Sequence, residues 1–151
     1  MTNSVAVNPG GPESQVTLYG IVGKAAGKFP DVALAQLHSR SRGGLPPGAL
    51  RRVREYVEAH LEKNISLQML ASTAGLSMSH FARAFKQSQG VPPHEYLVRC
   101  RVRRVQELLA TTDLPLSEIA RASGFSDQSH CTRRFREQVG ITPSSYRWSM
   151  R

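Results

Sequence analysis

The sequence lacks the long apolar segments that a membrane protein requires. Its 151 residues contain no run of eighteen apolar residues, and the first twenty lack a basic start followed by an apolar stretch. Neither a membrane span nor a secretory signal is predicted. We therefore expect a cytoplasmic protein without a membrane partner.

Residues that bind metals or form disulfides are also scarce. Cys100 and Cys131 are the two cysteines, and they show no CxxC spacing. Both fall in segments with a helical pattern, so we expect buried, small apolar side chains rather than a disulfide or a zinc site. No cofactor is predicted.

The arrangement that an enzyme would need is missing as well. The five histidines, at positions 38, 60, 80, 94 and 130, lie apart and form no HExxH motif. Ser129, His130 and Cys131 are adjacent, but neighbours on a helix diverge by about 100° and cannot converge on one substrate atom. We predict no catalytic residue and no enzyme activity.

Lysine is rare although the chain is strongly basic. Lys and Arg number 20 against 11 acids, which gives a net charge of +9, and only Lys24, Lys28, Lys63 and Lys86 are lysines. Arginine suits forked contacts with phosphates or guanine edges. The charge indicates a polyanionic partner, but by itself leaves nucleic acid and an anionic membrane surface open.

The chain divides into two regions of unequal character. Residues 1–48 are broken by Gly and Pro, as in "VNPGGP" and "RSRGGLPPG", and we predict a flexible arm. One short helix, from Asp31 to Arg40, is expected within it because Asp31 can act as an N-cap. The arm carries +2, from four cations less two acids, so +7 remains for residues 49–151.

The second region begins with a helical pattern and then contains an internal repeat. Leu50, Val53, Val57 and Leu61 recur on one helical face. Leu67, Ala71, Gly75 and Ser77 then match Leu116, Ala120, Gly124 and Ser126 at an offset of 49 residues. After one added residue, Arg83, Phe85, Gly90, Pro93 and Tyr96 match Arg133, Phe135, Gly140, Pro143 and Tyr146 at an offset of 50. Two copies of one structural unit are predicted.

Each unit has the pattern of a helix-turn-helix. The turns are "AGLS" and "SGFS", in which glycine permits a positive φ, Leu76 or Phe125 fills the core, and serine caps the second helix. A long helix connects the units. We predict a first subdomain at about 49–92, a linker helix at about 93–111 and a second subdomain at about 112–151.

These motifs resemble the AraC/XylS family of transcription regulators. The resemblance rests on "ISLQMLASTAGLSMSHFARAFKQSQGVPPHEYL" and "RVRRVQELLATTDLPLSEIARASGFSDQSHCTRRFREQVGITPSSYR" and covers residues from about 50 to 148. It implies an all-α, seven-helix domain with two helix-turn-helix subdomains bridged by a long helix. It also implies double-stranded promoter DNA and RNA polymerase as partners.

The resemblance extends to regulation and assembly. Many relatives carry a ligand-binding domain before this one, and 48 residues interrupted by glycine cannot build one. The chain therefore resembles either the stand-alone members or a shortened paralogue whose short arm only contacts a partner. An activator fits the family best, and a repressor stays open. One chain holds two DNA-facing helices, so a monomer or a weak dimer is expected.

The family's base-reading positions fall on Ser79, Ala82 and Arg83 in the first unit. Lys86 shares their helix face, whereas Phe81, Ala84 and Phe85 follow the spacing of a core. In the second unit the predicted DNA-binding residues are Gln128, Ser129, His130, Thr132, Arg133 and Arg136, with His130 at the margin. The two arginines at 83 and 133 suit guanine, and glutamine suits adenine.

Other residues of the second unit are assigned structural roles. Cys131 and Phe135 match Phe81 and Phe85 and should face inward. Asp127 is expected to stabilise the helix start through the helix dipole. Tyr146 and Trp148 are expected to close the core.

Three other functions agree less well with the sequence. A membrane-surface helix would need longer apolar faces than these. A regulator that acts mainly through protein contacts, and a basic protein that binds DNA without sequence preference, are the remaining alternatives. Neither accounts for two repeated, outward-facing helices.

Overall fold

The computed structural model describes residues 43–151, and this part of the chain forms seven helices and no strand. They are α1 Pro47–Ala59, α2 Leu67–Ala74, α3 Met78–Gln89, α4 Pro93–Thr111, α5 Leu116–Ala122, α6 Gln128–Val139 and α7 Pro143–Ser149. The predicted all-α, seven-helix class is confirmed. The predicted helix from Asp31 to Arg40 and residues 1–42 of the predicted arm lie outside the described residues. Between residues 43 and 151 no helix is long and apolar enough to cross a membrane.

The folded region begins before the predicted boundary at residue 49. Leu45 is fully buried in the first core, its backbone N–H donates to Ser88 Oγ at 2.7 Å, and α1 starts at Pro47. The pattern "LPPG" indicates an interruption of secondary structure. Proline also suits the first turn of a helix, however, because the N–H group that it lacks would have no partner there. The last residues assigned to the arm are therefore packed onto the first subdomain.

The apolar residues form two separate cores, one for each helix-turn-helix. The first core contains Leu45, Val53, Val57, Phe81 and Phe85 among others, and the second contains Ile119, Phe125, Cys131, Phe135 and Tyr146 among others. Cys100 and Cys131 are free thiols and both are buried, as predicted.

Helix α4 serves both cores with different faces. Tyr96, Leu97 and Cys100 pack into the first core. Val98, Val102, Val105 and Leu109, spaced by four, three and four residues, pack into the second. A single continuous helix therefore joins the two subdomains and is buried along two stripes.

The internal repeat is visible in the aromatic packing. Phe85 and Tyr96 meet edge to face with ring centroids 5.2 Å apart and an interplanar angle of 75°. Phe135 and Tyr146, at the matching positions, meet at 5.5 Å and 77°. The two units thus share side-chain geometry as well as sequence spacing.

The expected role of Trp148 was wrong. Tyr146 is buried in the second core, but 81% of Trp148 is exposed. Residues two apart on a helix differ by about 200° around the axis, so Tyr146 and Trp148 cannot both face one core.

Candidate nucleic-acid interface

The turns of the two units have similar backbones. Gly75 and Gly124 adopt positive φ angles of 73° and 84°, which glycine adopts without the steric cost of a Cβ atom. In the first unit Ser77 Oγ accepts the backbone N–H of His80 at 3.3 Å, as predicted. Each turn projects the second helix of its unit, α3 or α6, from the body of the domain.

The N-cap of α6 is Asp127 and not Ser126, which corrects the prediction from the repeat. Asp127 Oδ1 accepts the backbone N–H of His130 at 2.7 Å, and the Ser126 hydroxyl donates to Asp127 Oδ2 at 3.1 Å. The residue added between the two repeats shifts the cap by one position. The expected structural role of Asp127 is confirmed.

These hydrogen bonds also change the acidity of Asp127. The N–H of His130 first, and the hydroxyl of Ser126 second, stabilise the carboxylate and lower its pKa. The charged form therefore holds the start of α6, where the helix dipole also favours an anion.

The predicted residues of α3 lie together on its outer side. Ser79, Arg83 and Lys86 are exposed and Ala82 is half-buried, while Phe81, Ala84 and Phe85 are buried on the opposite side. We call Ser79, Ala82, Arg83 and Lys86 the first outer face. It offers one hydroxyl, one methyl group and two cations.

The predicted residues of α6 line a shallow concavity. Its walls include Gln128, Ser129, Thr132, Arg133 and Arg136, which we call the second outer face. Glu137 and Thr142 complete the rim. The second outer face is richer than the first in groups that can both donate and accept hydrogen bonds.

His130 is placed apart from that concavity. Its ring meets Phe125 edge to face at 5.4 Å and 86°, and its Nδ1 lies 3.2 Å from Ser126 Oγ. The histidine packs against the turn of the unit. Its role in DNA binding stays a prediction.

Cations on the two outer faces have no acidic partner within the part of the chain that the structure describes. None of the ion pairs there involves Arg83, Lys86, Arg133 or Arg136. Arg134 differs, because its Nη1 lies 2.9 Å from Glu137 Oε2. Arg136 is thus available to a phosphate, whereas the charge of Arg134 is already balanced.

Two residues with evident positions escaped the sequence analysis. Thr142 lines the second concavity and its Oγ1 accepts the N–H of Ser145 at 3.2 Å, so it also caps α7. The order "TPSS" is a recognisable capping signal. Arg101 is the other residue, and it contacts Leu61 and Lys63, about forty positions earlier; no local pattern predicts such a contact.

No group of three or more potential metal ligands occurs among residues 43–151. The polar residues of α6 are instead spread along its outer surface. Their arrangement suits an extended partner with many acceptor groups.

Known proteins are similar to this chain in sequence and in fold. A family described as a helix-turn-helix domain matches residues 70–149. The probable transcriptional regulator LumQ of Photobacterium leiognathi is 40% identical over 96 residues, which are 64% of this chain and 39% of LumQ. The transcriptional activator AarP of Providencia stuartii is 30% identical over 112 residues, which are 74% of this chain and 83% of AarP.

A solved structure shows the same fold with DNA. The DNA-binding domain of the global transcriptional factor AdpA, in complex with a target DNA, superposes with a TM-score of 0.64 at 32% identity. The superposition covers 67% of this chain and 91% of that one. The present chain spans about two fifths of the length of LumQ.

Proposed function

Because the chain belongs to the AraC/XylS family of helix-turn-helix transcription regulators, we propose that it binds a specific promoter sequence through two adjacent major-groove segments. Helix α3 enters one segment and α6 the other, and α4 holds them in place. The proposal places the protein in the cytoplasm with chromosomal DNA. The family consists of regulators and not of enzymes.

One observation carries the proposal: both outer faces present cations that no acid of the described chain neutralises. Arg83 and Lys86 lie on α3, and Arg133 and Arg136 lie on α6. A surface of this kind favours a polyanion, and the charge attracts it from a distance. Two such faces on one chain match a double helix better than a single small anion.

The dimensions support the same proposal. Helix α4 has 19 residues, which is about 28 Å at about 1.5 Å per residue. Major-groove segments on one side of B-DNA repeat every 34–36 Å. The widths of α3 and α6 make up much of the difference, and a modest DNA bend accommodates the rest.

The side chains divide into base readers and phosphate contacts. Arg83 and Arg133 can each donate two hydrogen bonds to guanine, and Gln128 can pair with adenine. Thr132 suits a thymine methyl group. Lys86 and Arg136, one turn further along their helices, suit phosphates.

We propose transcriptional activation as the outcome. AarP and other relatives are named activators, and an activator bound beside a promoter contacts RNA polymerase. A single chain carries both DNA-binding helices, so a monomer or a weak dimer is sufficient for binding.

Selection of duplexes from a random library by the full-length protein, followed by sequencing, tests the proposal. We expect a site with two short motifs about one helical turn apart, about 10 base pairs. The Arg83→Ala, Arg133→Ala double variant should lose this selectivity. The control is an Arg51→Ala, Arg104→Ala double variant, which removes two charges that lie beside Glu55 and Glu107.

Two results would contradict the proposal. One is an unenriched library. The other is equal selectivity in the wild type and in the variant that lacks Arg83 and Arg133. Protein partners that are retained without any duplex binding would instead favour a regulator that acts through protein contacts.

A further inference from the structure

The turn after α1, helix α4 and the turn between α5 and α6 meet at one point, where the two helix-turn-helix halves of the domain adjoin. Arg101, on α4, donates from Nε to the carbonyl of Leu61 at 3.3 Å and from Nη2 to the carbonyl of Lys63 at 3.0 Å. Both carbonyls belong to the turn that follows α1. The turn of the second helix-turn-helix lies against the same place, because a Cβ atom on Gly124 would overlap the Leu61 carbonyl.

The chemistry of this junction favours an arginine whose side chain is fixed by hydrogen bonds to backbone carbonyls. Backbone carbonyls in a turn lie outside the hydrogen-bond ladder of a helix and need donors from elsewhere. A planar guanidinium can reach two of them at once with little loss of freedom. Arg101 is half-buried at the junction, and this burial lowers the pKa of its guanidinium.

The close approach is not a general property of the turn. Gly75 occupies the matching position in the first unit with a similar φ, yet a Cβ atom there would meet nothing within 4 Å beyond its neighbours in the chain. At Gly124 a Cβ would also come within 2.7 Å of Arg101 Nε. The contact is therefore specific to the place where the second unit meets the first.

A cleft lies next to this junction, between the two halves of the domain. It is lined by Glu58 near the end of α1, by Leu61 and Glu62 of the following turn, by Arg104 and Glu107 of α4, and by Ala122 of α5. Beside the cleft, the contacts of Leu61, Arg101 and Gly124 join the turn after α1 to α4 and to the second helix-turn-helix.

We propose that Arg101 is a positioning residue that sets the distance between the two DNA motifs that the protein accepts. By fastening the turn after α1 to α4 beside Gly124, it fixes the direction of α6 relative to α3. The inference rests on the proposed function, because motif spacing has meaning only when both helices bind DNA.

The geometry of DNA makes spacing a sensitive test. One inserted base pair moves the second motif by about 3.4 Å and rotates it by about 35°. A rigid pair of helices cannot follow that movement unless the DNA is deformed. A pair joined only by α4 would follow it more easily.

The experiment uses full-length protein and the duplex that the wild type selects from a random library. Affinities are measured for that duplex, for versions with one to three base pairs inserted between the motifs, and for versions with one motif scrambled. The variants are Arg101→Ala and Arg101→Lys. Arg104→Ala is the matched control, because it removes one charge from the same helix, where Arg104 pairs with Glu107, and leaves the hydrogen bonds from Arg101 to Leu61 and Lys63 in place.

For the wild type, two inserted base pairs should weaken binding by about tenfold or more, because the DNA must be deformed to restore both contacts. Arg101→Ala should bind the original duplex several-fold more weakly and lose less affinity on insertion. Binding to a duplex with one intact motif should not change. Arg104→Ala should keep the spacing profile of the wild type.

Parallel spacing profiles for wild type and Arg101→Ala would overturn the inference, as would a wild type indifferent to spacing. Failure of the proposed function gives a different result, in which the wild type selects no duplex at all. If circular dichroism shows that Arg101→Ala is unfolded, the spacing profile of Arg101→Lys is compared with that of the wild type instead. The lysine keeps the charge, but its single ammonium group cannot reproduce the two-pronged contact.

Discussion

The backbone carbonyl of Leu61 occupies the space that a Cβ atom on Gly124 would need. Glycine at this position therefore meets two requirements, a positive φ of 84° and a close approach by a neighbouring backbone. Gly75, in the matching turn, meets only the first. The two matching glycines therefore differ in how closely a neighbouring backbone approaches them.

Replacement by alanine should cost more at Gly124 than at Gly75. Gly75→Ala introduces backbone strain of about 1–2 kcal/mol, whereas Gly124→Ala adds an overlap worth about 1–3 kcal/mol more. Urea unfolding of the full chain measures both free energies. Equal losses would show that the turn of the second unit moves away from Leu61 without cost.

The carboxylate of Asp127 should make the free energy of unfolding of the domain fall at acid pH. Its pKa in the folded protein is lowered from 3.8, so its contribution is fully present above that value and is lost as the pH falls through the lower folded value. Asp127→Asn keeps the capping oxygen but cannot titrate. Below pH 4 the stability of this variant should therefore fall less steeply than that of the wild type. Thermal unfolding between about pH 2 and pH 6 measures the difference. Parallel curves would contradict the role of the carboxylate.

Arg136 should contribute a phosphate contact. Arg136→Ala should weaken binding to all duplexes by similar factors and reduce the slope of log affinity against log salt by about 0.9. Arg51→Ala removes the same charge from α1, where Glu55 is adjacent, and should leave the slope unchanged. Fluorescence anisotropy across a salt series measures it. A sequence-dependent loss for Arg136→Ala would indicate base contact instead.

Leu45 should stabilise the fold although it lies in the stretch whose composition predicts an arm. Leu45→Ala removes a fully buried side chain and should cost about 2–5 kcal/mol. Leu67→Ala is the matched control, because Leu67 is 40% exposed and should change stability by only about 0.5 kcal/mol. Urea titrations of the two variants distinguish core packing at residue 45 from a loose contact.

The two thiols should be unreactive in the folded protein. Burial raises the pKa of Cys100 to about 12 and that of Cys131 to about 11, and the thiolate is the nucleophile. Iodoacetamide at pH 8 should therefore modify both cysteines in urea and neither in buffer, as mass spectrometry would detect. Rapid labelling of native Cys131 would show that the second core opens easily.

Much of the fold followed from short-range patterns in the sequence. The helix start at Ser77, the glycine at each turn and the repeat offset of 49 to 50 residues are local signals, and each reflects the backbone geometry of a few adjacent residues. Helical spacing also predicted the outer faces of α3 and α6, because it places Phe81 and Phe135 on the side of each helix opposite the polar residues. The N-cap at Asp127 was missed because the repeat placed a serine one position earlier.

Tertiary structure decided where the elements meet. The burial of Leu45, the exposure of Trp148 and the junction of Leu61, Arg101 and Gly124 depend on contacts between residues far apart in the chain, and no local period encodes them. Sequence alone determined two helix-turn-helix units and the side chains that each turns outward. How rigidly one unit is held against the other depends on packing, because a single guanidinium, two carbonyls and a missing Cβ must come together in space.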